Sequence, residues 1–163
     1  MYKINDYLVY GKNVCKVEKI EENKFNNEDY YLLRPIKNND LKISAPIKDK
    51  ASKIRPLITK DKIVELINKI PTIPIIETED KFIENEYKKL LNTNSHEDLI
   101  KIIKTTYLRN KKRLDNNKKI AEKDKNYFEL AEEFLYTEFS IVLDKTFEET
   151  KSYIVNKVNE IKE

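Results

Sequence analysis

Residues 54–71 read Ile54-Arg55-Pro56-Leu57-Ile58-Thr59-Lys60-Asp61-Lys62-Ile63-Val64-Glu65-Leu66-Ile67-Asn68-Lys69-Ile70-Pro71, and the period of the chain changes within them. Downstream of Pro56, Ile63, Leu66, Ile67 and Ile70 recur at helical spacing, and the run stops at Pro71. Upstream, the apolar runs are short and rich in β-branched and aromatic side chains: Leu8-Val9-Tyr10, Val14-Cys15-Lys16-Val17, Tyr30-Tyr31-Leu32-Leu33 and Leu41-Lys42-Ile43. Turn formers separate them: Asn5-Asp6, Gly11-Lys12-Asn13, Asn26-Asn27 and Asn38-Asn39-Asp40. Short strands with tight turns predict a small β-barrel or rolled sheet over residues 1–58.

Beyond the change of period the pattern is helical. Pro71-Thr72-Ile73-Pro74 cannot continue a helix, because proline lacks the amide donor, and it reads as a stiff connector. Ile83, Tyr87, Leu90 and Leu91 form the stripe of a second helix. Ser95 with Asp98 resembles a capping box that opens a third helix bearing Leu99, Ile102 and Ile103. Asn116-Asn117 marks a break. A fourth helix carries Tyr127, Leu130, Ala131, Phe134, Leu135, Ile141 and Val142. Thr146 with Glu149 caps a last helix with Ile154, Val158 and Ile161. The predicted class is α+β: a β-barrel over residues 1–58, then an all-α bundle of about five helices over 59–163. The first helix is able to pack on either half.

Charged residues make up 37% of the chain against 39% apolar, which requires long solvated helices around a modest core. No apolar run approaches the roughly 20 residues of a membrane helix, and no export signal is visible. Cys15 is alone, so no internal disulfide is expected and a reducing cytoplasm suits the chain. The net charge of +3 conceals blocks of opposite sign. Residues 100–126 hold ten basic and three acidic side chains, whereas residues 127–163 hold four basic and nine acidic. The basic block suits nucleic acid, or is a solvated helix end.

Catalytic chemistry finds few candidates. His96 is the one histidine and falls in the first turn of a helix, where it reads as a surface residue near the cap. Cys15 reads as a small buried hydrophobe. One Cys and one His cannot complete a structural zinc set. With Gly11 as the one glycine there is no glycine-rich phosphate loop. Glu77, Glu79 and Asp80 either share a divalent cation or favour a helix N-terminus, the simpler account. We therefore expect no enzyme, no catalytic residue, no metal site and no cofactor.

The order of the short motifs resembles the CarD family of bacterial transcription regulators. Tyr2-Lys3-Ile4-Asn5-Asp6-Tyr7-Leu8-Val9-Tyr10 looks like the family's opening strand, and Val14-Cys15-Lys16-Val17 like the one after its turn. Asp29-Tyr30-Tyr31-Leu32-Leu33, Leu41-Lys42-Ile43-Ser44-Ala45-Pro46 and Ile54-Arg55 resemble the following strands. Ala131, Phe134-Leu135 and Glu138-Phe139-Ser140 resemble a stretch of its helical domain. The resemblance implies a Tudor-like, SH3-like domain over residues 1–58 that binds the RNA polymerase β subunit by adding a strand to a sheet edge. It places that contact at Lys42, Ile43, Ser44, Ala45 and Arg55, the last in the pair that closes the barrel. It further implies that the helical domain contacts promoter DNA and modulates open-complex stability without catalysing a reaction.

The chain departs from the family at particular places. The turn glycine is replaced by Asn13 in a shorter turn, where asparagine is expected to take the left-handed conformation. The family's wedge tryptophan is absent, and its position falls at Glu79, followed by Lys81. Phe82 is the apolar residue available as a replacement wedge, or it packs against the connector at Ile73–Ile76 or against the barrel. Phosphate contacts are expected from Lys101, Lys104, Lys111, Lys112 and Arg113, and from Lys118, Lys119, Lys123 and Lys125 around the break. The alternative is an adaptor that binds polymerase or another protein and ignores DNA, which the acidic stretch Glu77–Glu86 favours.

Overall fold

Turns set the strand order in the first part of the chain. Asn26 and Asn27 both have positive φ (52° and 58°), as a type I′ hairpin demands. They join a long strand, β2 (Asn13–Phe25), to β3 (Glu28–Pro35). Gly11 and Lys12 join β1 (Tyr7–Tyr10) to β2. Here the left-handed residue is Gly11, with φ 62°, and Asn13 is the first residue of β2 rather than the turn residue expected. Two short strands complete the sheet, β4 (Ile43–Pro46) and β5 (Ile54–Arg55).

The computed structural model describes residues 1–162 and divides into two units, Met1–Leu57 and a second beginning at Ile58. In the first unit every strand pair is antiparallel, in the order β4-β3-β2-β1-β5. The ladder is open: β4 and β5 are its two ends, and no hydrogen-bonded pairing closes it into a barrel. Alternation puts Leu8, Cys15, Val17, Tyr31, Leu33 and Ala45 on one buried face. Ile43 and Ile54, from the two end strands, pack against that same cluster. The Asp49 carboxylate fixes the approach to β5 by accepting from the backbone N–H groups of Lys53 (2.8 Å) and Ile54 (2.9 Å).

Among its described residues the second unit contains five α-helices: α1 (Lys60–Lys69), α2 (Ile83–Leu91), α3 (His96–Asp115), α4 (Glu122–Leu143) and α5 (Phe147–Lys162). Their starts follow the capping residues. Thr59 accepts from Lys62 N–H (3.3 Å) and Ser95 from Asp98 N–H (3.3 Å). Thr146 and Glu149 bond reciprocally at 3.1 Å as a capping box. Two apolar clusters fill the bundle. In one, Ile63, Leu66 and Ile67 of α1 meet Ile100, Leu135, Phe139 and Ile154, so the first helix belongs with the other helices. In the other, Ile83, Tyr87 and Leu91 of α2 meet Ile102 and Ala131. Each fully buried Ile or Leu contributes roughly 1.5–3 kcal/mol of transfer free energy, so these stripes hold the helices together. No helix among the described residues is long and apolar enough to cross a membrane.

Candidate functional site

The β4 edge is the first candidate surface. Ile47 N–H donates to Asp29 O (3.0 Å), which makes Asp29 and Ile47 a hydrogen-bonded pair. Bonded and non-bonded pairs alternate along an antiparallel ladder. Tyr31/Ala45 and Leu33/Ile43 are therefore bonded, and Tyr30/Pro46 and Leu32/Ser44 are not. Pro46, which has no N–H to give, falls where none is needed. The Ser44 N–H and C=O then point away from β3, toward the open side of an end strand. The Ala45 side chain is buried in the core, whereas Ser44 is exposed and accepts a hydrogen bond from Lys24 Nζ (2.9 Å). Lys42 is exposed just before the strand. Arg55 lies in β5, at the other end of the ladder, where its Nη1 donates to Pro56 O (3.0 Å). Arg55 and the Lys42–Ala45 group thus lie on opposite end strands of the ladder.

The basic block divides by how its amines are used. Lys104 Nζ donates to the carbonyls of Ile70 (2.7 Å) and Ile73 (2.6 Å), where α1 runs into the Ile70–Thr72 turn. Partial burial lowers its pKa. Lys123 Nζ is held by Asp80, 3.2 Å from the carboxylate. Lys101 is half-buried in a shallow polar groove with Lys69, Thr72, Glu97 and Asp98. Lys111, Lys112, Lys118, Lys119 and Lys125 are exposed with no ion-pair partner among the described residues, and Arg113 is half-buried. Exposed Tyr107, Leu108, Leu114 and Ile120 interleave with these cations. Lys81 pairs with Glu79 (3.4 Å) and sits over the ring of Phe82, 5.0 Å from its centroid. Phe82 itself is 48% exposed, in the short turn Asp80–Phe82 that precedes α2.

Two polar clusters lie inside the helical unit. Asp124 is fully buried; its carboxylate accepts from the Tyr87 hydroxyl (2.7 Å) and from Arg109 Nε (3.1 and 3.2 Å). The outer edge of the same guanidinium reaches Asp80. Hydrogen bonds from Arg109 and Lys123 lower the Asp80 pKa, while burial and the neighbouring Asp124 drive the Tyr87 hydroxyl far up. In the second cluster Glu138 accepts from Ile58 N–H (2.8 Å), and His96 Nε2 lies 2.9 Å from its other oxygen. His96 is thus more than a surface residue near a cap. Asp124 carried no signal of its own in the sequence, and Tyr87 and Glu138 were read there as members of an apolar stripe and of a family motif, not as a polar site. Their partners lie 37, 15 and 42 positions away, and two of the three sit on apolar stripes.

No protein-family model matches the chain, and the comparison with curated proteins returns no match.

Proposed function

We propose that this protein is a non-enzymatic transcription regulator of the CarD type. It binds the β subunit of bacterial RNA polymerase through β4 and contacts promoter DNA through the exposed cations at the end of α3 and in the α3–α4 loop. The observation that carries the polymerase contact is the outward pair of main-chain groups on Ser44, at the end strand of the sheet. An incoming strand bonds to that pair, and side chains alternating along it supply selectivity. The Tudor-like form of the first unit is part of the same reading. Its support is that Ile43 and Ile54, from opposite ends of the ladder, pack on one core, as in a rolled sheet. The test is retention of the β subunit by the full chain. Ser44→Ala keeps the backbone donor and retains binding, whereas Ser44→Pro removes it and abolishes binding. A folded Ser44→Pro protein that still binds would reject this edge.

A second reading, an adaptor that ignores DNA, is favoured by the internal use of Lys104 and Lys123. A salt titration of DNA binding, with and without polymerase, separates the two. Phosphate contacts make affinity fall steeply with salt, and an adaptor shows no DNA affinity in either setting.

A further inference from the structure

Two cations from different helices converge on one surface carboxylate. Arg109 of α3 and Lys123 of α4 both donate to Asp80. The cations are largely covered, with side chains 25% and 29% exposed, whereas the Asp80 side chain is 63% exposed. Arg109 is also fixed from behind. The fully buried Asp124 takes its Nε–H, and the Tyr87 hydroxyl holds that carboxylate. A guanidinium anchored at Nε and presenting its outer nitrogens beside an ammonium suits a tetrahedral oxyanion. Asp80 occupies that position from an exposed turn. It belongs to the three-residue turn Asp80–Phe82, which has no side-chain cap; its backbone is held by Phe82 N–H on Glu79 O (2.9 Å) and Ile83 N–H on Asp80 O, with Lys123 Nζ 3.4 Å from the Asp80 carbonyl. The carboxylate end of the pair is exposed and screened by salt, so a group with more acceptor oxygens and more charge competes with it for the two cations.

We infer that Arg109 and Lys123 form a phosphate-binding site that Asp80 fills in the free protein, and that a backbone phosphate of nucleic acid displaces Asp80 on binding. The inference rests on the DNA-contacting part of the proposed function. Displacement releases the side-chain hold on the turn carrying Lys81 and Phe82, so occupancy of the site is coupled to the position of the exposed Phe82 ring immediately before α2.

The experiment compares Asp80→Asn with Glu77→Gln, which makes the same charge change at an exposed neighbour outside the pair. Binding of a labelled DNA duplex is read by fluorescence anisotropy at low salt. Asp80→Asn binds about threefold to tenfold more tightly than Glu77→Gln, and adding Lys123→Gln to Asp80→Asn removes the gain. Equal affinity of Asp80→Asn and Glu77→Gln overturns the site, as does a gain that survives Lys123→Gln. Arg109 is left intact because its loss would strand the buried charge of Asp124. Should Asp80→Asn fail to fold, the wild-type protein gives the answer by amide NMR. Saturating DNA shifts the resonances of Asp80, Lys81 and Phe82 if the site fills. Shifts at Lys111, Lys112 and Arg113 without any at 80–82 overturn the site and leave the DNA reading standing. Absence of shifts at both overturns both.

Discussion

Cys15 sits under the sheet with its Sγ 3.5 Å from Asn13 O, and burial pushes its thiol up to about 11. At neutral pH the thiolate fraction is then on the order of one in ten thousand, and the thiolate is the reactive form. A thiol reagent such as dithionitrobenzoate should modify the native protein no faster than the protein unfolds, and react at once in denaturant. Rapid labelling of the folded chain would contradict the burial. Glu132 is the opposite kind of residue, an acid placed where charge is costly. Desolvation raises its pKa despite Lys151 at 3.3 Å, and Glu148 and Glu129 push the same way. A carboxyl whose folded pKa exceeds its unfolded one contributes stability below the unfolded value and loses it as pH rises through the folded one. Glu132→Gln should therefore melt at or above the wild-type temperature at pH 7 and show less decline between pH 4 and pH 7. A variant that melts lower at pH 7 would mean that the Lys151 pair outweighs desolvation.

Ser95 shows what one cap does for an element. It satisfies Asp98 N–H at the start of α3, whose Ile100, Ile102 and Thr106 are buried. Ser95→Ala should cost about 1 kcal/mol, or roughly 2–4 °C in Tm for a chain of this size, measured by thermal denaturation. An unchanged Tm would show that packing alone fixes that end. Such caps made the five helices legible, because Ser95, Thr146 and the 3.6-residue stripes are local signals. The strands were legible in number but less so in extent. β2 continues through Glu18-Lys19-Ile20-Glu21-Glu22, where no alternation survives, since beyond Val17 its register with β3 shifts. β4 starts at Ile43 rather than Leu41 because its partners Leu33 to Tyr30 set its length. The edge itself could be read from Pro46, which belongs at an edge. The Asp80–Arg109–Asp124 network could not, because it depends on which turns of three elements come together.

Across the whole molecule, the net charge of +3 says little, since residues 100–126 alone hold ten basic and three acidic side chains, and Lys111, Lys112, Lys118 and Lys119 among them form an exposed cluster at the end of α3 and in the loop after it. If that cluster meets phosphate, changing Lys111, Lys112 and Arg113 together to Ala should lower the salt slope of DNA binding by up to about three. Retention of the polymerase β subunit should be unaffected, and Ser44→Pro should show the reverse pattern. A triple variant with the wild-type slope would leave those residues as solubilising charge. The β4 edge has a further consequence, for behaviour at high concentration. An end strand with open main-chain groups is a template on which identical chains stack into fibres. Here the strand is four residues long, Pro46 ends it and Lys42 precedes it. Two copies laid edge to edge in parallel register would bring their lysines together, and in antiparallel register each copy would find no donor at the other's proline. The arrangement leaves room for one short foreign strand and discourages the chain from polymerising with itself. Replacing Lys42 and Pro46 together by valine should convert a clear concentrated solution into one that scatters light.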